Sequence, residues 1–307
     1  MLSTLIEQYR EEKMPTRYST RRSYDVWLRK ISAYWGNCSI TDLQARPVEL
    51  WLQSLKLAPK SKAHIRGLLG ILWEHAMWRQ DIPTQRNPVE LVTVKDASKR
   101  LRQPRSLTVE EFRKFAAQLS NPFHTITLLC VCLGLRISEC LALKWEDVDW
   151  LDGKLTVERG IVRQRVAETK TETSRKTLHI SSDLLEVLKS WKQTSQFSAA
   201  DDWMFASPAQ LGRQPWCYDE VLRRFSRAGE DAGIGPVLTH SMRHTYRSWL
   251  DAVGTPIAVQ QKLMRHADIR TTLNVYGDVV TDEMERASGK VANLALTDRG
   301  ADRSTRN

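Results

Sequence analysis

Apolar residues recur at helical spacing through the first part of the chain, the pattern of helices that each bury one face. From Tyr18 to Trp35 the stripe is Tyr24, Trp27, Leu28, Ile31 and Tyr34, with Arg21, Arg22, Arg29 and Lys30 around the rest of the cylinder. Gly36-Asn37 marks its stop. Pro47 to Leu55 predicts a short helix with proline near its first turn. Ala58 to Gln80 predicts a longer one through Ile65, Leu68, Leu69, Leu72, Trp73 and Met77, closed off by Pro83 and Pro88. Residues 1–90 therefore read as a small helical bundle, which begins with the amphipathic stretch Met1–Arg10.

Residues 91–106 show no apolar period and read as an exposed basic linker. A second domain, 107–278, opens on the capping box Thr108-Val-Glu-Glu111 and a helix through Leu119. After Pro122 comes a strongly apolar helix ending near Gly134, then a short one, Ile137 to Leu143. Asp152-Gly153 signals a hairpin between Val148–Trp150 and Lys154–Glu158, and Val162 to Val166 and Thr177 to Ile180 read as two more strands. Helical spacing resumes over 182–194, 218–233, 241–253, 256–265 and 268–275. The expected fold is mainly α: a helical bundle followed by an α+β domain with one small antiparallel sheet, then a C-terminal helix and tail over 279–307.

With 307 residues, two domains are the natural expectation, and 41% hydrophobic content suffices for packed cores. No apolar run approaches the roughly 18 residues that span a bilayer, and no signal-peptide core is visible, so the expected setting is cytoplasmic with no membrane partner. Five cysteines with no Cys-x-x-Cys spacing read as buried thiols, not as a disulfide framework or a zinc site. Charge changes the picture more. Residues 1–106 hold 19 Lys+Arg against 10 Asp+Glu, while 107–307 hold 27 against 26. The first part is thus suited to an extended polyanion, although surface solubility alone accounts for part of that charge. Arg21, Arg22, Lys60, Lys62, Arg66, Lys99, Arg100 and Arg102 are its candidate DNA-binding residues.

Candidate chemistry lies in separated segments: Gly134-Leu-Arg136-Ile-Ser-Glu139, Thr169-Lys170-Thr171, Thr239-His240-Ser-Met-Arg243-His244, and His266 followed by Tyr276. Arginine offers a donor fork for phosphate oxygens, histidine moves protons near neutral pH, and a tyrosine hydroxyl can be a covalent nucleophile. Taken singly, each has a plainer reading. Arg136 could pair with a nearby acid, Lys170 could be an ordinary loop lysine, and Tyr276 could be a helix tyrosine beside Leu273 and Val275. His240 and Arg243 share a helix face, whereas His244 points elsewhere and reads as structural. No carboxylate cluster for a divalent metal and no nucleotide-binding glycine loop is present, so no cofactor is expected.

In their order and spacing these motifs resemble those of tyrosine recombinases of the phage-integrase family, over nearly the whole chain. The resemblance implies that 1–90 is a core-binding domain and 107–278 a catalytic domain, which together clamp duplex DNA. It further implies that Arg136 and Arg243 hold the scissile phosphate, with Glu139 supporting Arg136 or a histidine. His240 would move protons, and His266 would hydrogen-bond the phosphate. Lys170 would protonate the leaving 5′-oxygen, with Lys176 the competing candidate. Tyr276 would form a 3′-phosphotyrosine. The family usually has glycine immediately before the second histidine; this chain has Arg265.

The activity so implied is site-specific cutting and rejoining of double-stranded DNA, to integrate or excise a mobile element, by a tetramer on two DNA sites. Accessory DNA-bending or directionality factors are partners it allows. A topoisomerase-like nicking and resealing enzyme, or a non-catalytic DNA-binding protein of the same fold, are the alternatives. Met284, Ala287, Val291 and Leu294 lie at helical spacing within 282–296, a helix that could dock on a neighbouring protomer or pack on its own domain.

Overall fold

A computed structural model describes residues 1–99, 105–168 and 176–265. The chain divides into two compact units, Met1–Gln103 and Pro104–Asn307. In the first, helices α1 (Leu2–Glu12), α2 (Tyr18–Trp35), α3 (Ala45–Ser54) and α4 (Pro59–Trp78) surround one core. Ile65, Leu68, Leu69, Leu72 and Trp73 of α4 are all buried in it, each such side chain contributing about 1.5–3 kcal/mol by leaving water. On α2 the buried stripe is Leu28, Ile31 and Trp35, one position round from the expected one. Tyr34 is left on the flank, 60% exposed, and stacks on Trp51 with ring centroids 5.4 Å apart.

The core of this unit continues past residue 90. A 3-10 turn, Pro88–Leu91, places Val89 and Val92 in it, so the start of the expected linker is packed. Asn87 caps this turn through its side-chain oxygen, which accepts from the Val89 N–H at 3.0 Å.

The second unit is mainly helical, with its core centred on Phe115, Trp145, Phe205 and Phe225. The capping box forms: Thr108 Oγ1 accepts from the Glu111 N–H at 3.1 Å, and Glu111 Oε2 accepts from the Thr108 N–H at 2.8 Å. It starts α5 (Val109–Ala117), and α6 (Phe123–Cys132) and the one-turn α7 (Ile137–Cys140) follow. Strands β1 (Val148–Asp149), β2 (Lys154–Val157) and β5 (Lys176–His179) make an antiparallel sheet in the order β1-β2-β5.

The expected strand Val162 to Val166 is instead a hairpin of β3 (Arg159–Val162) and β4 (Arg165–Glu168), apart from the other sheet. Its two-residue turn, Arg163-Gln164, takes φ of 52° and 58°. Such turns usually carry Asn-Gly or Asp-Gly, and Arg163-Gln164 carries no such signal. The tip is held from outside, by Gln164 Nε2 donating to the Pro215 carbonyl at 2.9 Å. Helices α8 (Ser182–Thr194), α9 (Tyr218–Asp231), α10 (Thr239–Ala252) and α11 (Ile257–Leu263) follow among the described residues.

The cysteines need a correction as a set. All five are free, but only Cys130 and Cys140 are buried; Cys132, the last residue of α6, and Cys217 are exposed. No helix among the described residues is long and apolar enough to cross a membrane.

Candidate active site

The apolar helix α6 ends at Cys132 with Leu133 as its C-cap, and Gly134 reverses the chain with φ of 59°. Only glycine fits: a Cβ there would lie 2.3 Å from Cδ1 of Tyr246, on α10. Leu135 is buried, and Arg136 becomes the N-cap of α7. Glu139, one turn on, grips Arg136 twice. Its Oε2 accepts from the Arg136 backbone N–H at 3.0 Å, and its Oε1 accepts from Nη1 at 2.7 Å. The Glu139 side chain is only 12% exposed, against 42% for Arg136.

Arg243 arrives from α10, which is locked beneath the domain entrance by Thr245 Oγ1 accepting from the Leu107 N–H at 2.9 Å and Trp249 Nε1 donating to the Leu107 carbonyl at 3.1 Å. The Arg243 side chain is buried and donates to the carbonyls of Gly134 and Met264. Burial, then the positive charges of Arg136 and Arg265, pushes its pKa down to about 9, so it stays cationic at neutral pH. Two of its five N–H donors have these partners, which leaves donors for an anion.

His240 lies one turn before Arg243 and is exposed. Desolvation, then the charges of Arg243 and Arg136, lowers its pKa below the ordinary histidine value. His244 does not point away: its ring meets that of His240 edge-on, centroids 4.6 Å apart, as residues four apart on a helix do.

Two residues join this cluster without having been singled out for it. Arg265, just past α11, has φ of 52°, a conformation that costs a side-chain-bearing residue about 1–3 kcal/mol. Its guanidinium is buried, with Nη2 2.7 Å from Glu139 Oε2 and 3.2 Å from the Gly134 oxygen, and Nη1 3.3 Å from the Leu133 oxygen. Tyr246, which packs over Gly134, has its pKa raised by burial against the lowering effect of Arg265 and Arg243. Gly134, Arg136, Glu139, His240, Arg243 and Arg265 therefore converge from three segments. The only signal for Arg265 was its departure from the family's usual glycine.

The other candidates are distributed differently. Lys170, His266 and Tyr276 lie outside the described residues, as do Arg100 and Arg102. The backbone of Lys176 pairs with Val157 in the sheet. In the first unit Arg21, Arg22, Lys60 and Lys99 are exposed. Lys62 and Arg66 have internal duties: Lys62 Nζ donates to the Gln53 carbonyl at 3.0 Å, and Arg66 donates to the carbonyls of Val89 and Glu90 at 3.1 and 2.8 Å. Arg66 thereby pins the 3-10 turn that closes its core. Among the described residues no cluster of His, Cys, Asp and Glu is arranged to hold a metal ion.

Arg136 and Arg243, with His240 at the rim, are cations and donors of the kind that can bind an anion, while Arg265 is turned onto Glu139. The model of the phage integrase family matches residues 105–283, a span that contains every one of these groups. The chain belongs to the phage integrase family. These proteins are the tyrosine recombinases, and the mainly helical fold with a small antiparallel sheet is theirs.

Relatives and solved structures of the family agree. The chain is 24% identical over 293 residues to the ICEBs1 integrase of Bacillus subtilis, covering 87% of this chain and 75% of that protein. It is 28% identical over 197 residues to transposase A from transposon Tn554 of Staphylococcus aureus, covering 62% of this chain and 53% of that one. A XerC-like tyrosine recombinase of Caldanaerobacter subterraneus is likewise matched over 54% of its length, so the chain spans about half of these two longer relatives. In fold it is similar to the Tn1549 transposon integrase in complex with a circular intermediate DNA, with a TM-score of 0.80 at 18% identity over 94% of this chain and 99% of that one. It is also similar to a lambda integrase tetramer bound to a Holliday junction, with a TM-score of 0.70 at 20% identity over 90% and 77%.

Proposed function

We propose that this phage-integrase-family chain is a site-specific DNA recombinase of a mobile element, which cuts and rejoins double-stranded DNA through a 3′-phosphotyrosine. The observation that carries this reading is the meeting of Arg136 and Arg243 at the Gly134 turn, close enough that the Arg136 charge helps lower the Arg243 pKa. Negative charge grows on the nonbridging oxygens as the phosphorus becomes pentacoordinate, and fixed cations beside them lower that barrier. Four positions in the motif set then take roles. The Tyr276 oxygen attacks phosphorus, and the bond to the 5′-oxygen breaks. Lys170 gives that oxygen its proton, and His266 donates a hydrogen bond to the phosphate. His240, its pKa held below the ordinary histidine value by desolvation and by the two arginines, is neutral at pH 7 and so able to accept the tyrosine proton.

Attack by the freed 5′-hydroxyl of a second strand reverses the step and reseals the backbone, so no outside energy source enters. Arginine and lysine neutralise the phosphate, and this scheme requires no metal ion. The mobile-element assignment is supported by the ICEBs1, Tn554 and Tn1549 relatives, and assembly on two DNA sites by the lambda integrase dimer bound to a core site and the tetramer on a Holliday junction.

The test is strand exchange between two copies of the DNA that flanks the gene, carried on one plasmid. Deletion or inversion at a fixed joint is the expected result. Sequence-independent relaxation of the plasmid would point to the nicking and resealing alternative, and binding without any strand breakage to a non-catalytic role.

A further inference from the structure

Glu139 is buried and is shared. One of its oxygens meets Arg136 Nη1, and the other meets Arg265 Nη2, both at 2.7 Å. Arg265 is itself 4% exposed, so its guanidinium serves the protein interior; the Arg136 side chain, 42% exposed, is the open one of the pair. A carboxylate bonded to a single arginine would hold most of that arginine's charge to itself. Here the second arginine takes up part of the carboxylate's charge and ties it to the carbonyls of Leu133 and Gly134. The Gly134 oxygen is also the acceptor for Arg243, so Arg265 touches the anchors of both Arg136 and Arg243. The strained backbone at Arg265 is the conformation glycine adopts freely, yet this chain keeps an arginine there.

We infer that Arg265 is a positioning residue, which shares Glu139 with Arg136 and so leaves the open side of the Arg136 guanidinium free to engage the scissile phosphate. The inference rests on the recombinase reading for the identity of the phosphate, but its geometric content does not. Arg265 acts through Glu139 and Gly134, not on DNA. Removing it turns Glu139 into a competitor for Arg136, and removing the Glu139 charge as well takes that competitor away.

The full chain would be compared with Arg265→Gly, Arg265→Lys and the double variant Arg265→Gly/Glu139→Gln. The readouts are single-turnover cleavage of a nicked suicide duplex, affinity for the same duplex, and the rise in Tm produced by inorganic phosphate. For Arg265→Gly the expected loss of cleavage rate is about 100-fold, the scale on which misplacing a reacting group by an ångström acts, with duplex affinity nearly unchanged. Arg265→Lys should recover part of the rate, and the double variant should recover most of it. The phosphate-induced rise in Tm should shrink in Arg265→Gly and return in the double variant. Wild-type cleavage by Arg265→Gly, or equal losses in the single and double variants, would overturn the inference. So would an unchanged phosphate response, which reads the Arg136 anion site even if no duplex is cleaved. Failure of the wild-type chain to cleave its substrate would instead count against the recombinase reading.

Discussion

Replacing Arg243 by alanine separates the stability of this site from its activity. The substitution removes hydrogen bonds to the carbonyls of Gly134 and Met264. Gly134 keeps Arg265 as a donor, so the loss falls chiefly on the Met264 oxygen, and a buried carbonyl deprived of its donor costs about 1–3 kcal/mol. Against this, the buried Arg243 charge is itself unfavourable: desolvation, Arg136 and Arg265 have brought its pKa down to about 9. A displacement of that size from the ordinary arginine range corresponds to a few kcal/mol that alanine would recover. The two effects are of similar size, so net stability should move by no more than about 2 kcal/mol, or roughly 8 °C in Tm for a unit of this size. Catalysis has no such offset. Losing one preorganised donor to a developing oxyanion costs about 2–4 kcal/mol, or roughly 30- to 1,000-fold in rate. Thermal denaturation and single-turnover cleavage on one preparation provide the comparison, with duplex affinity as a control. A folded Arg243→Ala chain that cleaves within a few-fold of wild type would refute the clamp. Outright loss of folding would show that the buried cation is needed for structure first.

Gly134→Ala should destabilise the second unit by about 2–4 kcal/mol, from the left-handed backbone and the collision with Tyr246, and an unchanged denaturant midpoint would contradict that packing. Lys170→Ala should cleave an ordinary phosphodiester slowly yet be rescued by a bridging 5′-phosphorothiolate, whose sulfur leaves without a proton; rescue of Lys176→Ala instead would reassign the general acid. His240 should titrate below the usual histidine value in an NMR pH series and move upward in Arg136→Ala. Since the unfolded chain then binds the proton more readily, His240 costs stability as pH falls from the unfolded value toward the lowered folded one. A normal His240 titration, unmoved by that variant, would contradict the arrangement.

Much of the fold could be read locally because its determinants are local. The α4 stripe, the Thr108–Glu111 capping box and the Asp152-Gly153 turn each lie within a few residues of what they specify. The Arg163-Gln164 turn could not, since its left-handed residues carry no glycine and its support comes from Pro215. The site divides in the same way. Arg136 with Glu139, and His240 with Arg243, are legible as spaced pairs on helix starts. Arg265 and Tyr246 acquire their places only when α10 and α11 pack on the Gly134 turn, a contact that no periodicity encodes. Arg66 shows the converse: a basic residue in a basic stretch suggested DNA, but its guanidinium closes the chain's own backbone turn.

Attack of Tyr276 on the scissile phosphate held at the arginine cluster is decided by which tyrosine becomes joined to DNA. The chain would be incubated with a nicked suicide duplex, the covalent adduct digested, and the modified peptide sequenced by mass spectrometry, in wild type, Tyr276→Phe and Tyr246→Phe. A 3′-phosphate on Tyr276 is expected in wild type and in Tyr246→Phe, with no adduct in a Tyr276→Phe chain that still binds the duplex. An adduct on Tyr246, or a Tyr276→Phe chain that forms adduct at the wild-type level, would contradict it.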